Sequence, residues 1–118
     1  MSRAPAREQA LNALYAADIA GVAPTPEGLS GRARRYVEGT WANVVDLDRQ
    51  IEDAATGWRL GRMPAVDRNI LRLALYELRI GTTPVGVVVS EAVNLAKRFS
   101  TERSGAFVNA VLSKLIES

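Results

Sequence analysis

This sequence predicts an all-α domain, and three observations predict it. Apolar residues recur at i, i+3 and i+4 over long stretches, the spacing of one buried helix face. No stretch alternates polar and apolar residues with a period of two, as a half-buried strand requires. All five prolines fall between the periodic stretches, where proline punctuates helices.

The elements follow in order. Residues 6–20 predict a first helix. Ala10, Leu11, Leu14, Tyr15 and Asp18 keep its spacing, Pro5 stands at a first helical position, and Gly21 ends it. Residues 22–30 carry two prolines and a glycine and read as a loop. A second helix covers about 32–45, with Tyr36, Val37, Trp41 and either Val44 or Val45 turned inward. Asp46 or Asp48 caps a short third helix through Ala55, and Gly57 stops it.

Pro64 opens the most apolar stretch, 64–80. Val66, Ile70, Leu71, Leu73, Ala74, Leu75, Leu78 and Ile80 cover more than half the circumference, so this helix is expected at the centre of the molecule. Residues 81–84 break it. The run from Val85 to Val89 fits a strand by β-branching. Helical spacing of Val88, Val89, Ala92, Val93, Leu95, Ala96 and Phe99 favours a helix over 87–99, with Thr83 and Pro84 as cap and first residue. Ser104 caps a last helix over 104–117, whose inner face is Phe107, Val108, Val111, Leu112, Leu115 and Ile116.

Composition narrows the function. A length of 118 residues is one domain. There is no cysteine and no histidine. That removes a disulfide framework, thiolate chemistry, the commonest general base and the commonest zinc ligand. No cofactor is expected. The longest uncharged stretch, 80–90, has 11 residues, too short for a membrane span of about 20. The first residues lack the apolar run of a signal peptide, so a cytoplasmic protein is expected, with no membrane partner. The close acidic pairs, Glu52 with Asp53 and Asp46 with Asp48, read as solvated helix surface rather than an acid–base couple. An enzyme is not expected.

Charge points elsewhere. The net charge is +2, but residues 1–58 carry −2 and residues 59–103 carry +4. Arg3 and Arg7 flank Pro5. Arg7 sits near a helix N-terminus, where a cation is mildly disfavoured; it either has a task or points into water. Arg68, Arg72 and Arg79 share one face of the central helix by their spacing, a solvated stripe in the plain reading. Lys97, Arg98 and Arg103 surround the junction before the last helix, whose free N–H groups and positive dipole end suit a phosphate. Phe107, in the first turn, is either core or a stacking platform for a base.

Four segments carry a resemblance: residues 7–15 (REQALNALY), 64–78 (PAVDRNILRLALYEL), 88–100 (VVSEAVNLAKRFS) and 104–112 (SGAFVNAVL). With these, in this order, the chain resembles the NusB family of bacterial transcription antitermination factors. Residues 22–62 match in hydrophobic pattern only. The resemblance implies two packed three-helix subbundles, about 1–57 and 58–118, around the central apolar helix. It implies no catalysis. Family members bind boxA-type single-stranded RNA of nascent ribosomal RNA transcripts, together with NusE, a small-ribosomal-subunit protein, within the transcription complex. The implied RNA-binding residues are Arg3 and Arg7 at the N-terminus, and Lys97, Arg98, Arg103, Ser104 and Phe107 around the last-helix junction. Ala4 and Pro5 stand where arginine is common, and Arg103 where an acidic residue is common. The implied partner-binding residues are Val66 and Asp67. As a first-turn carboxylate, Asp67 also stabilises its helix by about 0.3–1 kcal/mol.

Two other readings compete. One is a homodimeric protein–protein module with vestigial RNA binding. The other is an accessory domain of an RNA methyltransferase, against which stands the lack of room for a cofactor-binding domain in 118 residues.

Overall fold

The computed structural model describes residues 5–117. It contains six helices: α1 (Ala6–Ala20), α2 (Gly31–Ala42), α3 (Val44–Ala54), α4 (Ala65–Ile80), α5 (Val85–Phe99) and α6 (Glu102–Glu117). A 3-10 turn, Leu60–Arg62, lies between α3 and α4. There is no strand among the described residues.

The helix boundaries follow local chemistry. Pro5, Pro64 and Pro84 each stand just before a helix, with φ of −55°, −53° and −55° and extended ψ. Proline thus sits one residue earlier than the first-turn position expected for Pro5 and Pro84. Gly21 and Gly81 close α1 and α4 at φ of 71° and 69°, a left-handed conformation that costs glycine nothing. Ser30 caps α2 by accepting from the Ala33 N–H at 3.2 Å. Neither Asp46 nor Asp48 caps α3, which is preceded by Asn43 and starts at Val44.

The last helix also starts earlier than expected. Glu102 is its first residue, so Ser104 is not its cap. Thr101 does that work: its Oγ1 accepts from the Ser104 N–H at 3.1 Å.

Helix α4 packs against each of the other five helices, as its all-round apolar surface requires. It feeds two clusters. Ile70, Leu71, Ala74 and Leu75 join Leu47, Ile51, Val88, Leu95, Val108 and Leu112 in the larger core. Leu73 points the other way, to Ala10, Leu14, Tyr36 and Val37. Helix α3 packs on α4 and α6. Several residues expected inside are outside: Tyr15, Ile80, Phe99 and Ile116 are all exposed. They lie at the edges of their apolar stripes or near helix ends, where the neighbouring helix no longer covers them. Of the pair Val44 and Val45, it is Val44 that is partly buried.

Of the three arginines on this face, Arg68 and Arg72 are not solvated, whereas Arg79 is exposed. Arg72 is buried and forks onto Asp48, with Nε and Nη2 donating at 2.7 and 2.8 Å. Arg68 Nε donates to Asp18 at 2.6 Å, and Asn69 donates to the same oxygen at 2.8 Å. Arg79 reaches Asp46 at 2.9 Å. Arg68 and Arg72 therefore bolt α1 and α3 to the central helix through Asp18 and Asp48, while Asp46 pairs with Arg79 at the surface. The bidentate Arg72–Asp48 pair fixes orientation as well as charge. Burial alone would raise the Asp18 carboxyl. Hydrogen bonds from Arg68 and Asn69, with the charges of Arg68 and Arg72, outweigh it and hold the group below its ordinary range.

Candidate nucleic-acid interface

The first turns of α4 and α6 meet. Ser104 is buried, and its Oγ donates to Asp67 Oδ2 at 2.8 Å. The hydroxyls of Ser100 and Thr101 reach Ser104 Oγ at 2.8 and 3.1 Å. A chain of hydroxyls thus runs from the α5–α6 junction to the buried carboxylate of α4. This network sets the position of the residues around it, because each member is fixed by another.

A cavity of about 250 Å³ opens beside the network, lined by Trp58, Pro64, Asp67, Thr101, Arg103, Ser104 and Phe107. Phe107 is half-buried and packs partly on the large core, while the rest of its ring faces this cavity. Trp58 stands edge-on to it, with ring centroids 5.8 Å apart and planes at 61°. Arg103 is exposed. A cation, two aromatic rings, hydroxyls and one buried carboxylate therefore share a concave surface. Such a mixture suits a planar, hydrogen-bonding ligand with an attached anion.

The expected site residues divide into groups. Arg103, Ser104 and Phe107 come together at the cavity, with Asp67 beside them. Lys97 is exposed one helix away, its stem lying over Gly105, where a Cβ would come within 3.0 Å of Lys97 Cγ. Glycine at 105 leaves room for that stem. Arg98 turns toward α1, with Nη1 at 2.8 Å from Glu8 Oε1 and its guanidinium 4.7 Å above the Phe99 ring. Arg7 does not point into water. Its guanidinium is paired with the buried Glu77 of α4 and lies 6.0 Å over the Tyr36 ring. Arg3 lies outside the described residues. Val66 is partly buried against the core, and Asp67 is 3% exposed, so its carboxylate holds Ser104 in place instead of standing on the surface.

The phosphate site expected at the last helix is narrower than the sequence promised. The N–H groups of Ser104 and Gly105 already bond to Thr101, and Glu102 puts a negative charge in the first turn. The cations near it are the exposed Arg103 and Lys97. Sequence reasoning missed Trp58. Its signal was there: a tryptophan between Gly57 and Arg59, in a connection with no apolar period to explain it.

Comparison with known proteins places the chain in a family and matches its fold. The model of the NusB family matches residues 4–117. A transcription antitermination protein NusB of Anaeromyxobacter sp. (strain Fw109-5) is 41% identical over 128 aligned residues, covering 98% of this chain and 90% of the relative. Among solved structures, T. maritima NusB superposes with a TM-score of 0.84 at 32% identity, over 99% of this chain and 94% of that one. A crystal structure of the antitermination factors NusB and NusE in complex with double-stranded RNA matches with a TM-score of 0.84 at 28% identity, over 95% and 93% of the two chains.

Proposed function

The chain belongs to the NusB family of transcription antitermination factors, and from that premise we propose that it is an RNA-binding adaptor. It binds boxA-type single-stranded RNA of nascent ribosomal RNA transcripts jointly with NusE, in the cytoplasm, and promotes read-through by RNA polymerase. The observation that carries this reading is the convergence of Arg103, Ser104 and Phe107 on one cavity. A solved relative in complex with NusE and double-stranded RNA supports NusE and RNA as the two partners.

The mechanism follows from what this chain lacks. Its net charge is +2, and Arg7 is held by the buried Glu77. The counterion-release contribution to RNA affinity is therefore small. Alone, the protein binds RNA weakly, at about 10⁻⁴–10⁻⁶ M. NusE docks at the start of α4, near Val66 and the exposed Pro64, and Asp67 contributes by holding Ser104 and the α6 turn in register. Two weak sites on one RNA then act through effective concentration.

The test is a titration of labelled boxA-type RNA with the protein, with NusE, and with both, at several salt concentrations. NusE tightens binding tenfold or more, about 1.4 kcal/mol, and RNA tightens the protein–protein contact by the same factor. Arg103→Ala flattens the salt dependence by about 0.7 per lost phosphate contact. Equal RNA affinity with and without NusE removes the adaptor mechanism and favours a homodimeric interaction module.

A further inference from the structure

We propose that Trp58 and Phe107 form a two-walled receptacle for one unstacked RNA base, whose N–H edge bonds to Asp67 while the adjoining phosphate meets Arg103. The inference rests on the RNA-binding reading above and says what the site takes.

Trp58 is the observation to explain. It is 50% exposed, in the non-helical connection between α3 and α4, and no core cluster includes it. A tryptophan left half in water retains apolar surface that a ligand can bury. Its tilted, edge-type contact with Phe107 sets two ring planes at an angle and does not cover them by stacking. The space between them and α4 is about 250 Å³, below the roughly 300–1,000 Å³ of pockets for drug-sized ligands. It suits a single planar ring system.

Charge decides which part of a nucleotide enters. Asp67 is 3% exposed and lines the cavity. One of its oxygens accepts from Ser104; the other, Oδ1, is buried and has no hydrogen-bond partner among the described residues. A buried carboxylate repels a phosphate and leaves its spare acceptor unsatisfied at a cost. A base reverses both effects, because its amino and imino groups donate and it carries no charge. The phosphate stays outside, where Arg103 is exposed and water screens the carboxylate. A base in a duplex cannot reach this position without leaving its stack, so the receptacle selects single-stranded RNA.

The experiment uses the full chain carrying Trp41→Phe, which leaves Trp58 as its one tryptophan. Labelled single-stranded boxA-type RNA is titrated with and without NusE while anisotropy reports binding and tryptophan emission reports stacking. Single-stranded RNA quenches Trp58, and the same RNA annealed to its complement does so far less. Trp58→Ala weakens binding about 5- to 100-fold with an unchanged salt slope, the loss of one base–aromatic stack. Trp58→Tyr, which keeps a ring in the same place, recovers most of it. RNA binding with normal salt dependence but no quenching, or an unchanged affinity for Trp58→Ala, overturns the receptacle and leaves the RNA reading standing. Equal quenching by the duplex overturns it as well. No RNA binding by either protein or by the pair brings down both readings.

Discussion

Arg7 and Glu77, 70 residues apart in the chain, are locked together. Arg7 Nε donates to both Glu77 carboxylate oxygens, at 3.0 and 2.9 Å, and Nη2 lies 2.8 Å from Oε1. Glu77 is 3% exposed, so removing its partner strands a buried charge. Arg7→Ala is expected to lower stability by about 3 kcal/mol, the low end for a broken buried pair. Replacing both residues by leucine should recover most of that loss. Denaturant unfolding of the two single variants and the double variant measures the coupling. A loss confined to RNA affinity, with stability unchanged, would show the arginine free for RNA.

A second expectation concerns acid. The folded state holds the Asp18 carboxyl below its ordinary value. The stabilisation is therefore fully present above the unfolded value of about 3.9 and is lost as pH falls through the lower, folded value. The denaturant midpoint should drop below about pH 4. Asp18→Asn should lower stability at neutral pH and flatten the acid limb, because the titrating group and its clamp on Arg68 are both gone. An acid limb identical to that of the parent protein would place the titration elsewhere.

The core positions of α4 should rank by burial. Leu71 is 0% exposed and Leu75 5%, while Leu78 is only partly buried at the rim. Alanine at Leu71 or Leu75 is expected to cost about 2–5 kcal/mol through lost contacts and a residual cavity. Leu78→Ala should cost less, since water reaches part of the site. Urea midpoints of the three variants test the order.

Gly39 offers a test of close packing. The Tyr76 ring of α4 lies directly against it, and a Cβ at this position would overlap the ring. Alanine is favoured over glycine within a helix by about 1 kcal/mol. Here Gly39→Ala should nevertheless destabilise, by about 1–3 kcal/mol, because an overpacked ring has to move. Thermal unfolding would show it, and a stabilised variant would contradict the contact between α2 and α4.

The helices were legible because their signals are local. The apolar period of α4, the glycines at 21 and 81 and the prolines before three helices are each written within a few residues of the feature they cause. The ion pairs were not legible. Arg72 and Asp48 look like surface charges in sequence, and only the packing of α3 on α4 brings them within 2.7 Å. The same holds for Arg7, whose partner stands on a helix 70 residues away. At the interface, Arg103 and Phe107 were found from their position beside a helix start. Trp58 was missed because a single aromatic in an aperiodic connection has no spacing to read. Ser104 resembled a cap, but the cap is Thr101, three residues earlier, which accepts from the Ser104 N–H and leaves the Ser104 hydroxyl to donate to Asp67.

The reach of α4 into both apolar clusters has a consequence for synthesis on the ribosome. The small cluster of α1 and α2 needs Leu73, which follows the end of α2 by about thirty residues. At about 5–20 residues per second, the first two helices wait some seconds with Leu14 and Val37 uncovered. Neither can settle until the middle of α4 has left the exit tunnel. The larger cluster waits longer, for Leu112 near the end of the chain. A nascent chain stalled before Leu73 should therefore remain sensitive to protease, whereas one carrying the whole of α6 beyond the tunnel should be protected along its length.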